Sequence, residues 1–216
     1  MTKEAELLKA IQAGDITTVE ALLDSDGSLL NHKAGHEVPM VLMALYYNQP
    51  RIAEVFAERG AELDIFAAAA LGRVERVAEL ATHDPALVNA VAGDGFQPLG
   101  LASFFGQAEV ARYLILKGAR VNSPSHNPMR VMRLHSASAG NHLAVAKVLL
   151  EAGADPNAAQ ADEFVPIHAA AQNGNAEMIR LLLEYGADPT LETSDGSTAV
   201  DFARQSGSDE VLAALK

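Results

Sequence analysis

The sequence predicts an all-α solenoid, a row of short helical hairpins stacked side by side. Three observations predict it. First, GNHLAVAKVLLEAGADPNAAQ (140–160) and GNAEMIRLLLEYGADPTLET (174–193) repeat one another, with earlier copies at GQAEVARYLILKGARVN (106–122) and NQPRIAEVFAERGAELD (48–64). Second, each copy is a turn, then apolar residues at helical i, i+3, i+4 spacing, then a Gly-Ala stop. Third, the period is regular: His135, His168 and Asp201 occupy one slot, each 33 positions after the last. One such hairpin is too thin to bury its apolar face alone, so neighbours must stack.

Composition agrees. A chain of 216 residues with 49% hydrophobic and 20% charged residues is a folded one. Aromatics make up 5% and tryptophan is absent, so Ala, Leu and Val fill a core of closely packed helices. The net charge of −12 repels polyphosphate and anionic membranes, so neither nucleic acid nor membrane is the expected partner, and a basic protein is favoured. The absence of cysteine removes disulfides and thiolate metal sites. The N-terminal MTKEAELLKAIQAGD has no apolar run of signal-peptide length, no segment approaches the ~18 apolar residues of a membrane span, and the expected location is the cytoplasm.

The units follow in order. KEAELLKAIQAGDITTVEALL holds two helices with no preceding finger and reads as an N-terminal cap within residues 1–31. Units 32–65, 66–89, 90–122, 123–157 and 158–190 follow, and DFARQSGSDEVLAALK ends a C-terminal cap, 191–216, with no Gly-Ala stop. Pro98 and Pro166 preset the backbone at the start of a first helix. Gly60, Gly118, Gly153 and Gly186 supply the stop after a second. Capped at both ends, the array reads as one complete, monomeric domain of about seven units.

The segments VPIHAAAQNG (165–174), QPLGLASFFG (97–106), MRLHSASAGN (132–141) and STAVDFARQSG (197–207) resemble the TPLHxA signature of the ankyrin repeat, a unit of ~33 residues. The register runs from about Glu4 to Leu215. The resemblance implies helix pairs with projecting β-turn fingers, and protein recognition on a concave face built from fingers and first helices. It also implies that His135 and His168, at the signature histidine, order the finger bases by hydrogen bonds.

Three departures interrupt the period. Asn48 and Gly72, both turn positions, are only 24 apart, so ELDIFAAAALG runs straight from stop to helix and unit 66–89 lacks its finger. Asn122 and Asn157 are 35 apart, which lengthens the finger NSPSHNPMRVMRLH by two residues. DSDGSLLN and THDPALVN replace the usual linker. The missing finger is expected to open a notch.

Carried onto this chain, the family's adaptable positions before the turns include Tyr46, Tyr47, Leu71, Phe104 and Phe105, and those at the finger tips include Val38, Phe96, Val131 and Phe164. Arg130 and Arg133, with Met129 and Met132, offer a flexible apolar contact with a charged grip for a partner carboxylate. The partner-binding candidates are therefore Tyr46, Tyr47, Leu71, Phe96, Phe104, Phe105, Met129, Arg130, Met132 and Phe164. Two readings of the aromatic pairs stay open: anchors for a partner, or rings collapsed into the notch. Two stay open for the long finger as well, because it can instead fold back and pair Arg130 and Arg133 with nearby acids. Arg133 stands where the signature has proline, leaving the start of its helix open too.

Catalytic and cofactor chemistry finds no support. His126, His135 and His142 lack the spacing that brings three ligands to ~2 Å from a metal. LHSASAGNH (134–142) holds serines and histidines but no GxSxG elbow, and neither GxGxxG nor GxxxxGK[ST] occurs. The expectation is a non-enzymatic protein-binding module without cofactor. A small apolar ligand or peptide tail in the notch, and a self-associating structural protein, are the alternatives.

Overall fold

The computed structural model describes residues 2–216 as seven successive helix pairs: α1 (Lys3–Ala13) with α2 (Ile16–Ser25), α3 (Met40–Tyr46) with α4 (Pro50–Glu58), α5 (Ile65–Ala70) with α6 (Val74–His83), α7 (Pro98–Phe104) with α8 (Ala108–Leu116), α9 (Arg133–Ala139) with α10 (Leu143–Glu151), α11 (Pro166–Gln172) with α12 (Ala176–Glu184), and α13 (Ala199–Ser206) with α14 (Asp209–Ala214). First helices pack on first helices from α1 through to α13, while second helices form an outer layer. The all-α solenoid expected from the repeats is the fold observed.

Each pair turns through one left-handed residue, Gly14, Asn48, Gly72, Gly106, Asn141, Gly174 or Gly207. At Gly106 the reason is double, for φ is +76° and an added Cβ would lie 2.6 Å from the His142 ring. α9 begins at Arg133, in the register that Pro98 and Pro166 set for α7 and α11, so the missing proline does not displace the helix. At the signature slot, His168 accepts the Val165 N–H at Nδ1 and bonds the Leu191 carbonyl through Nε2 at 2.8 Å. Asp201 does the equivalent work on α13, accepting the N–H and hydroxyl of Thr198.

α5 opens directly on Asp64, whose carboxylate accepts the Ala67 N–H at 2.8 Å, and no finger precedes it. The apolar core divides at this helix. One cluster runs from Leu7 to Ala67 and another from Ile65 to Val211. A third, smaller one of Val38, Leu42, Ala70 and Leu101 bridges α3, α5 and α7, covered by Tyr46, Phe66, Phe96 and Phe105.

A ladder of asparagines ties consecutive pairs at the base of the fingers. Asn122 accepts the Asp155 N–H and donates to the Gly153 carbonyl, both at 2.9 Å. Asn89 does the same with Arg120 and Gly118, and Asn157 with Asp188 and Gly186. Asn31 accepts the Glu62 N–H. Where the next rung would stand the chain has Asp64, already committed to capping α5, so the ladder is interrupted at the fingerless pair.

Candidate functional site

The finger turns and the C-terminal ends of the first helices share one side of the array, and most of the candidate residues lie there. Their fates differ. Within each aromatic pair one ring is held and its neighbour is free. Tyr46 and Phe105, on α3 and at the end of α7, reach over α5 until their ring centroids are 5.9 Å apart. The Tyr46 hydroxyl donates to Asp94 Oδ2 at 2.6 Å, bolting α3 to the finger of the pair after next. Burial first, and the Asp94 carboxylate second, push the Tyr46 phenol up, so it stays a neutral donor.

Sterics make this reach necessary and possible. Packed helices sit ~8–10 Å apart, so α3 and α7, with α5 between them, are too distant for small side chains to meet. α5 presents Ala67 to Ala70, all buried, and thereby stays thin. The fingers close over it: the Gly93 backbone lies so near the next finger back that a Cβ there would stand 2.0 Å from the His36 carbonyl oxygen. The notch between the aromatic rings is therefore filled by the rings themselves. A groove of about 480 Å³ remains beside Asp64, lined by Leu30, Pro39, Val41, Leu63, Arg76 and Leu80 among others, with Tyr46 and Phe105 outside it.

The free rings are Phe104, 47% exposed, and Tyr47, 39% exposed. Phe104 stands edge-on against Phe105 with centroids 5.0 Å apart, and its carbonyl receives His142 Nε2 at 3.0 Å. Tyr47 accepts the Gln12 amide at 2.9 Å. Each ring is therefore part-exposed and tied at one point, Phe104 through its carbonyl and Tyr47 through its hydroxyl. Met129, at the tip of the long finger, is 62% exposed, and Arg130 beside it is exposed with a left-handed φ of 49°.

The remaining candidates pack inward. Phe164 is half-buried among His135, His168 and Phe202, each ring centroid within 5.4 Å. Phe96 belongs to the bridging cluster, Leu71 flanks the N-terminal core, and half-buried Met132 caps α9. The expected pairing of the arginines with acids does not occur at Arg133. It is 3% exposed and its guanidinium donates to the Gln97 side-chain oxygen instead. Burial pulls it down to about 10. The finger does fold back, but onto an amide.

His135 departs from its counterpart: its Nε2 meets the Gln160 amide at 3.0 Å, and its Nδ1 has no partner. Burial first, and the neighbouring His168 second, push the imidazole down to about 4, so it is neutral. Among the described residues no three metal-ligating side chains converge. Composition and repeat register alone did not single out the Asn ladder or the buried Gln97–Arg133 pair. The ladder's signal was in plain view, as an asparagine recurring in the ARVN and ADPN linkers.

Comparison with known proteins agrees with this architecture. A family model described as ankyrin repeats in three copies matches residues 65–160 and again 134–216. Ankyrin repeat and SAM domain-containing protein 6 of Rattus norvegicus is 37% identical over 92 residues, 43% of this chain and 10% of that protein. The chain spans about a tenth of the length of that relative. With the repeat register, the finger turns and the family match in agreement, the chain belongs to the ankyrin repeat family.

Proposed function

We propose that the chain is a protein-recognition module whose contact surface is the face of finger turns and first-helix ends, centred on Tyr47, Phe104 and Met129. One observation carries the reading: Tyr46 and Phe105 are consumed in an internal strut, yet the ring beside each is left part-exposed on the surface. Burying such a ring is favourable, and an anchor that is already ordered loses little freedom on binding. The net charge of −12 speeds the approach of a basic partner. The protein works as a monomer, by apolar contact, without catalysis or cofactor.

The test separates the two rings of each pair. A Tyr47→Ser/Phe104→Ser chain and the native chain are used as bait in an extract of the source cells, with melting midpoints measured alongside. The expected result is loss of the captured partner with little change in stability. Retention of the same partner at the same level refutes the surface. A second reading, a small ligand in the groove beside Asp64, is favoured by that groove's size alone, which lies in the range of small-molecule sites. Leu80→Arg, which fills the groove, would abolish that binding and leave the protein partner in place.

A further inference from the structure

The negative charge is not spread evenly along the solenoid. Residues 152–216 hold eleven acidic and three basic residues, a net of −8, whereas residues 1–151 carry −4. Part of that excess stands on the fingers that precede α11 and α13, where Asp162, Glu163 and Asp195 are all exposed.

Between these two fingers lies an open pocket of about 370 Å³, lined by Asp162, Phe164, Thr193, Ser194, Asp195 and Phe202. That size admits a long side chain. Phe164 and Phe202 are half-buried, with ring centroids 5.3 Å apart and planes inclined at 69°, and they form an aromatic corner. The fingers are fixed to one another, for the Ser194 N–H donates to the Asp162 carbonyl at 3.0 Å. Asp195 is oriented by its own turn: its Oδ1 accepts the Thr193 hydroxyl at 2.6 Å and the Ser197 N–H at 3.1 Å, which leaves Oδ2 for a ligand. The Thr193 hydroxyl first, and Ser197 second, hold this carboxyl below the usual carboxylate range. Among the described residues neither Asp162 nor Asp195 enters an ion pair. The lining holds no lysine or arginine, and Arg204 on the adjoining helix is turned to Asp201 at 3.2 Å.

We infer that this pocket binds the guanidinium of an arginine side chain on a partner polypeptide, seated in the Phe164–Phe202 corner and bonded to the Asp162 and Asp195 carboxylates. A cation gains from an aromatic surface and from unpaired carboxylates together. A guanidinium is planar, weakly hydrated and carries donors along several edges, whereas an ammonium is a strongly hydrated point charge that gives up more on meeting phenylalanine. A hard metal ion is the poorer fit, because it takes six or more oxygens and half of this wall is apolar. An apolar side chain would fill the corner but leave the carboxylates without a partner. The pocket lies between the sixth and seventh helix pairs, away from Tyr47 and Phe104 on the second and fourth, and needs nothing from the surface proposed around them.

Backbone amide NMR of the full chain, titrated with the peptide Ac-Gly-Arg-Gly-amide, tests the site. The same peptide with citrulline, which keeps the shape and removes the charge, or with lysine serves for comparison. The arginine peptide is expected to saturate with a dissociation constant of roughly 1 mM and to shift Phe164, residues 193–195 and Phe202. Citrulline is expected to bind ~10-fold more weakly and lysine ~3-fold more weakly. Asp162→Asn/Asp195→Asn should bring arginine down to the level of citrulline. Glu177→Gln/Glu184→Gln, which removes the same charge from α12, should leave the arginine affinity in place. Equal binding of arginine and citrulline, equal binding of arginine and lysine, shifts that map elsewhere, or equal losses in the two double variants each overturn the inference. The peptide comparison uses the native chain alone, so it decides the matter whatever the variants' stability.

Discussion

Removing one oxygen atom tests the strut across the fingerless pair. In Tyr46→Phe the ring still meets Phe105, but the 2.6 Å hydrogen bond to Asp94 is gone. Hydrogen bonds to a charged acceptor contribute about 1.5–3 kcal/mol. Here the carboxylate is only half-buried and keeps the Phe96 N–H at 3.1 Å, so the lower end applies, about 1.5 kcal/mol. In a chain of this size that lowers the melting midpoint by roughly 3–6 °C. Urea unfolding of Tyr46→Phe, Asp94→Ala and the double variant then isolates the pair from each residue's other contacts. A coupling of about 1 kcal/mol or more is expected. A coupling near zero, with the two single losses simply adding, would show that the hydroxyl is as well satisfied by water and that the strut is apolar packing alone.

Four further outcomes follow from the geometry. His135 is neutral in the fold with a pKa near 4 against 6.5 unfolded, so the unfolded chain binds the extra proton between these values. Stability is therefore full above about pH 7 and falls by about 2 kcal/mol on going to pH 5, a loss that His135→Gln should remove from the pH profile of urea unfolding. His168, also shifted down by burial, adds in the same direction. Asn122→Ala breaks one rung of the ladder and should cost about 1–2 kcal/mol by the same assay, whereas Asn127→Ala, off the ladder, should cost less. Glu163→Gly relieves a left-handed φ of 55° in an exposed finger turn and should raise the midpoint by ~1–2 °C. Gly95→Ala, at the matching position, has φ of 86° and a Cβ 2.8 Å from the Asn127 nitrogen, so its midpoint should drop.

Much of the fold was legible because it is written redundantly. A helix pattern seen once is weak, but a Gly-Ala stop recurring in register fixes element order, turn positions and the place of the missing finger. The candidate surface was legible only in part, and the reason is directional. Position in the repeat says that Tyr46, Tyr47, Phe104 and Phe105 sit at the first-helix ends, but adjacent residues on a helix point about 100° apart. Tyr46 and Phe105 point toward α5, while Tyr47 and Phe104 point out. That split depends on how close α3 comes to α7, which is a tertiary quantity. The same holds for Phe164, whose packing needs the ring of Phe202 from the next repeat. Arg133 was open to two readings, a charged grip beside Arg130 or a pair with nearby acids, and its burial against Gln97 depends on how the long finger packs on α7, which repeat position does not give.

The fingerless pair changes what kind of joint the solenoid has at its middle. At four other joints, from the first pair to the sixth, consecutive pairs are held by core packing and by an asparagine rung from Asn31, Asn89, Asn122 or Asn157, both short-range and repeated. At α5 the rung is missing and the core divides, so nearest-neighbour terms are thinner at this joint. The chain compensates with next-nearest-neighbour contacts: Tyr46 to Phe105, Tyr46 to Asp94, and the finger around His36 against Gly93. These contacts exist only because a finger is absent, since a finger of normal length on α5 would separate the two that meet. Deleting the finger and pairing the aromatics are thus one adaptation. It couples the two halves of the array beneath the exposed rings of Tyr47 and Phe104.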